Sequence, residues 1–185
     1  MMKKGAPNVP EPTAIALDRM ATAVIILDLS TRCDDPGAPC AELLPAVGKF
    51  LERARAAGVS IVFSVSLRDR GTELGVVAST LMRRENETIV YPNSFDKFFG
   101  GELRDVLQQM GAKNLVITGA ATNVAVMYTA TTAVLVYKYN VAIPVDGVIA
   151  SSGYEQEYAL HQLHALPAGS ITPIRFSTLP AITFQ

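Results

Sequence analysis

Cysteine and histidine are scarce in this 185-residue chain, with two of each. Cys33 and Cys40 are too few for the disulfide framework of a small secreted domain, and no His or Cys set with ligand spacing accompanies them. The reading is a reducing cytoplasm, with no metal and no cofactor. Charge of one sign is also missing: 16 basic and 17 acidic residues are well mixed and leave a net charge of -1. That balance gives no basic stripe for nucleic acid and no polybasic patch for a membrane surface. No apolar run approaches the roughly 18 uncharged residues of a bilayer span. The opening MMKKGAPNVPEPT runs from its charged start straight into Pro and Gly, so it does not have the form of a signal peptide. Neither GxGxxG nor GxxxxGK[ST] occurs, and nucleotide binding has no motif behind it. The partners left are a small molecule and other copies of the chain.

What is present is core-forming material: 49% hydrophobic and 18% charged residues fit a single domain. Short β-branched runs alternate with longer segments of helical period, the pattern of a parallel sheet covered on both faces. Thr22 to Leu27, Ser60 to Val65, Thr88 to Val90, Asn114 to Thr118, Val141 to Val145 and Ser170 to Pro173 are the expected strands. Helices are expected over Leu43 to Ala57, Gly101 to Met110, Asn123 to Tyr137 and Tyr154 to Leu166, with Gly58, Gly111 and Pro167 as stops. The predicted fold is a Rossmann-like three-layer α/β sandwich whose six parallel strands take the order 3-2-1-4-5-6, with the strand around Ile25 near the centre. Residues 1 to 18 read as a mobile or wrapping arm and 19 to 185 as the domain.

Two features could carry chemistry. Asp28 ends the otherwise apolar strand TAVIILD, where a carboxylate is costly unless it is paired or used; the alternative is an Asp that caps the following turn. Gly119-Ala120-Ala121-Thr122-Asn123-Val124-Ala125-Val126 runs from a strand directly into the longest apolar helix. Such a junction aims backbone N–H groups and a positive helix end at the space above the sheet, where a carboxylate or an oxyanion could be held. The plainer reading is a helix start capped by Thr122 or Asn123.

Together these features resemble the isochorismatase-like hydrolase superfamily, which includes nicotinamidases, carbamoylsarcosine-type amidohydrolases and isochorismatases. The likeness runs from about Ala21 to Ile174: a strand ending in Asp28, the stretch VITGAATNVAVMYTATTAV, and a strand ending VPVDG at Asp146. It implies a six-stranded parallel sheet, an Asp-Lys-Cys triad and a cis peptide ahead of the nucleophile helix. Position by position, Asp28 matches the acid/base, Ala120-Ala121 the cis bond, and Ala125 stands where the cysteine belongs. Tyr91 or Pro92 occupies the place of the lysine in VYPNSFDKFFGGEL, although Lys97 lies close by. The triad is thus degenerate, and alanine cannot perform thiolate chemistry. A branch of the family with a small residue at that position cleaves a vinyl ether by acid/base chemistry, which points to Asp28 as catalyst. Lys97 is its partner if it reaches the pocket, and otherwise a solvated loop lysine.

Cys33, Tyr91, Ala120, Ala121, Asn123 and Ala125 are the expected substrate contacts, with Cys33 either an apolar wall residue or a displaced nucleophile. Arg68 and Arg70 fall where some relatives place metal ligands, but SVSLRDR supplies only Asp69. His161 and His164 sit in the penultimate element, away from the strand edge. The uncharged NVAVMYTATTAVLVY implies a helix covered by a neighbouring chain, with Tyr128, Thr132 and Val136 in the interface of a homodimer or higher oligomer. Two functions remain: a small-molecule hydrolase acting through Asp28, or a catalytically inactive ligand-binding or structural member of the family.

Overall fold

The computed structural model describes residues 9–167, 169 and 171–185. Along the chain lie β1 (Ile15–Leu17), β2 (Thr22–Leu27), α1 (Leu44–Ala56), β3 (Ser60–Ser64), β4 (Thr88–Val90), α2 (Leu103–Gln109) and β5 (Asn114–Ala120). There follow α3 (Met127–Leu135), β6 (Asn140–Pro144), β7 (Val148–Ile149), α4 (Gly153–His164), β8 (Arg175–Ser177) and β9 (Ile182–Phe184). The main sheet has the order β4-β3-β2-β5-β6-β8, with every pairing parallel, which is the expected 3-2-1-4-5-6 when strands are counted from Thr22. Ile25 is central, opposite Val62 on one side and Ile117 on the other.

Two details differ. Strand β7 adds a seventh member beside β5, and β1 pairs with β9 in a separate two-stranded parallel sheet. Of the expected arm, residues 1–8 lie outside the described residues, while Ile15 and Leu17 are buried in the core. The last strand is Arg175–Ser177, not Ser170 to Pro173, of which Ser170 lies outside the described residues. Pro173 has no N–H to give a sheet ladder, and the chain pairs only beyond it, where Phe176 meets Ile143.

Strand alternation sorts the core into two halves. Val24, Ile26, Ile61, Phe63 and Val116 face α1, which contributes Leu44, Val47, Phe50, Leu51 and Ala54. Ala23, Ile25, Leu27, Val62, Leu115 and Ile117 face the other way, toward Leu107 of α2, Ala130 and Val134 of α3, and Leu160 and Leu163 of α4. Both faces being covered, β2 is buried along its whole length, so its apolar residues need no alternation with polar ones. The expected helix from Asn123 begins as a wide π turn over Thr122–Val126, and α3 proper starts at Met127. Tyr128 and Val136 remain 49% and 61% exposed on its outer side. No helix among the described residues is long and apolar enough to cross a membrane.

A buried ion pair ties α1 to the approach to β4: Arg55 Nε lies 2.6 Å from Glu87 Oε1, with both side chains less than a tenth exposed. Glu87 also accepts from Arg84 N at 2.8 Å. Burial alone would raise the Glu87 carboxyl, but the Arg55 and Arg84 hydrogen bonds hold it below its ordinary 4.5. Its contribution is therefore present above the unfolded-state pKa and lost as the pH falls through the lower folded value. Glu87→Gln is expected to cost about 3–5 kcal/mol in urea unfolding at neutral pH by stranding Arg55, and to flatten the loss of stability on acidification.

Candidate active site

The carboxyl ends of β2 and β5 lie side by side, Leu27 opposite Gly119, and this sets the floor of the site. Gly119 has φ 123°, and a Cβ there would overlap the Leu27 carbonyl, so no other residue lets the two strands approach this closely. The Ala120-Ala121 peptide bond that follows is cis. The π turn then begins, and Thr122 turns its hydroxyl onto Gln156 Oε1 at 2.6 Å. Gln156 in turn donates to Val148 O at 3.1 Å, so the junction is fastened to α4 and β7. The first N–H groups of such a helix have no carbonyl of their own turn to bond.

Asp28 takes the first position beyond β2 with φ 54°, a left-handed conformation held by its N–H donating to Ser64 O at 2.9 Å. Its Oδ2 lies 2.6 Å from Lys97 Nζ, and Lys97 is only 2% exposed. The solvated-loop alternative for Lys97 does not hold. The lysine backbone sits between β4 and α2, five residues beyond Pro92, and its long side chain carries the ammonium back to the strand edge. Oδ1 of Asp28 is buried without a hydrogen-bond partner among the described residues. Burial is the strongest influence on Asp28 and lifts its carboxyl above the ordinary 3.8; the Lys97 charge and hydrogen bond oppose this, as does Arg32, while Asp69 adds to it. A carboxyl that is desolvated yet paired can exchange a proton closer to neutrality than a free one.

Asp28 and Lys97 open on a cavity of about 630 Å³, of a size for a small organic molecule. Ala120, Ala121, Val124 and Ala125 form one wall of it, and Ala125 is 1% exposed. Arg32, Arg68 and Asp69 line it as well, together with Asn93, Ser94 and Phe95. Sequence reasoning missed Arg32, Asn93 and Phe95, which sit on loops without periodicity. The one available signal was the closeness of Phe95 to Lys97 in NSFDKFF.

Three expected contacts stand elsewhere. Cys33 does not line the cavity; it is bonded to Cys40 in a disulfide, and there is no free thiol among the described residues. Neither of its expected roles is open to it, because its sulfur is spent on closing the turn ahead of α1, 3.9 Å from the Asp28 carbonyl. With Cys33 and Cys40 bonded, the scarcity of cysteine no longer argues for a reducing compartment. Tyr91 points to the other side of the segment, with the Arg70 guanidinium 4.8 Å above its ring, and lines a second groove with Val76 and Met82. Strand alternation places it there: Val90 is directed to one core half, and its neighbour must take the opposite side. Asn123 is half-buried behind the wall, its Oδ1 buried and unpartnered among the described residues. His164 packs edge-on to Phe176, outside the cavity lining.

A family model for the isochorismatase domain matches residues 22–172. An uncharacterized isochorismatase family protein, YaaI of Bacillus subtilis (strain 168), is 29% identical over 75 residues, which are 40% of this chain and 41% of that protein. The match thus spans about two fifths of that relative's length. Among solved structures, an isochorismatase family protein from Desulfovibrio vulgaris subsp. vulgaris str. Hildenborough superimposes with a TM-score of 0.76 at 21% identity, covering 87% of this chain and 95% of that one. An isochorismatase-like hydrolase from Alkaliphilus metalliredigens gives 0.73 at 25% identity, covering 86% and 95%.

The close approach at Gly119 is directly testable. Gly119→Ala must move β5 away from β2 at the site, and a loss of about 3 kcal/mol or more is expected in chemical unfolding. Gly111→Ala, where a Cβ meets nothing within 4 Å, is the comparison that isolates backbone strain alone.

Proposed function

The chain belongs to the isochorismatase domain family, and from that premise we propose that it is a hydrolase of small molecules working by non-covalent acid/base chemistry through Asp28 and Lys97. The observation that carries this reading is the Asp28–Lys97 contact of 2.6 Å at a cavity whose wall includes Ala125. Asp28 in its protonated form gives a proton to the substrate. Its carboxylate then takes one from the water that replaces the leaving group, so the proton count is restored at each turnover. Lys97 stays cationic beside it, steadies the carboxylate and offsets negative charge that develops on the substrate. Ala121, Val124 and Ala125 line the same space, and the positive end of the turn they begin adds to that charge stabilisation.

Both cysteines being disulfide-bonded supports a route without a thiolate. Iodoacetamide without reductant is accordingly expected to leave turnover unchanged, and inactivation would refute the route. A panel of vinyl ethers, amides and cyclic imides tests the function itself. Wild type should turn over one class, and Asp28→Asn should lose about a hundredfold or more of that rate. A wild type that binds a panel member and turns over none would establish the second reading, a ligand-binding member of the family. That reading is favoured by alanine at 125 and proline at 92.

The same proposal includes self-association. The outer side of α3, with Tyr128 and Val136 exposed, is continued by Phe95 and Phe99 at 63% and 67% exposure, and a second copy would cover it. Light scattering should give a multiple of 19.8 kDa, and a monomer at micromolar concentration would reject this.

A further inference from the structure

We propose that Thr129, Thr132 and Asp96 are positioning residues that hold Lys97 against Asp28, with the Thr132–Asp96 hydrogen bond as the fastening of the segment to α3. The inference rests on the reading of Asp28 and Lys97 as a working pair and adds what keeps that pair together.

A lysine side chain has four rotatable bonds, so a fixed ammonium requires a fixed backbone. Yet residues 91–102, which carry Lys97, contain neither helix nor strand. Apolar burial does little for this stretch: Phe95 and Phe99, on either side of the lysine, are each more than half exposed. Pro92 is buried at its start, and Phe98 is packed with its ring 4.9 Å from that of Tyr137. At the start of the segment Leu67 N donates to Pro92 O at 2.9 Å, and the polar anchors around the lysine itself come from α3. Lys97 N donates to Thr129 Oγ1 at 3.1 Å, and Thr129 is fully buried. Thr132 Oγ1 donates to Asp96 Oδ2 at 2.6 Å, while Asp96 Oδ1 accepts from Phe98 N at 3.0 Å. The Asp96 carboxylate therefore spans the lysine position, one oxygen on the helix and the other on the segment. Thr129 and Thr132 are three residues apart and share one helix face. Since α3 continues directly from the π turn that contains Ala125, one rigid element sets both the cavity wall and the distance to the lysine.

The measurement is a carbon-13 carboxyl NMR titration of Asp28 in the full chain, which needs no substrate. The charges near Asp28 are Lys97, Arg32 and Asp69. Losing the Lys97 charge removes a lowering influence, so Lys97→Met should raise the Asp28 midpoint. Thr132→Val keeps the shape, drops the hydroxyl and should raise the midpoint by at least half as much, whereas Thr132→Ser should match wild type. Melting curves check that each variant folds, and Asp96→Asn replaces Thr132→Val if the latter does not. A folded Thr132→Val with the wild-type midpoint, beside a raised Lys97→Met, would overturn the inference. So would a Lys97→Met indistinguishable from wild type. A chain that turns over nothing in the panel defeats the acid/base reading alone, because the titration still decides the positioning.

Discussion

A carboxylate and an ammonium held 2.6 Å apart at the end of a buried strand constrain the structure around them. Bringing two charges out of water costs several kcal/mol per ion, and only close, well-supported geometry offsets it. Asp28 meets the demand by leaving β2 in a left-handed turn, which persists because its neighbours over-determine it. Its N–H is bonded to Ser64 on one side. On the other, the disulfide between Cys33 and Cys40 closes the segment that follows. Lys97 meets it from a segment without regular structure, so its support has to be local and polar. A desolvated carboxyl with a cation beside it is what proton transfer near neutrality asks for, and the packing cost is thus tied to the proposed function.

The sheet and the longest helix divide the remaining work. The β2–β5 register, with its close approach at Gly119, brings Asp28 and the Ala120–Ala125 turn to one edge. Helix α3 carries that turn inward and packs Ala130, Ala133 and Val134 on the sheet. Its side toward residues 95–98 is polar, and its outer side is apolar and open. A single helix thus serves the core, the cavity wall and the lysine segment, and its uncharged sequence reflects these combined tasks rather than burial all round.

Periodicity made the fold legible. Strands buried on both faces are continuous apolar runs, α1 shows a clean stripe, and the alternation of elements leads to the observed parallel order. The last strand was misplaced because Ser170 to Pro173 has strand-like composition, while Pro173 has no N–H for the ladder, which begins beyond it at Arg175. Asp28 and the Gly119 to Ala125 junction were legible for a related reason: a polar group or a run of small residues at the end of an apolar strand has few ordinary explanations. Cys33 and Tyr91 were not, since two cysteines seven residues apart pair only if the turn between them brings their sulfurs together, and the side to which a ring turns depends on what packs against it.

The sequence by itself determined the first five strands of the main sheet, their burial and the presence of a carboxylate at the central strand end, because those follow from patterns repeated within a few residues. Only the tertiary structure decided that the ammonium beside Asp28 comes from Lys97 and not from the position of Pro92. Five residues of irregular chain separate the two, and the reach of a side chain depends on where Thr129, Thr132 and Tyr137 fix its backbone. The pairing of Cys33 with Cys40, and with it the absence of a free thiol among the described residues, was settled in the same way, by the turns between β2 and α1 that bring the two sulfurs together.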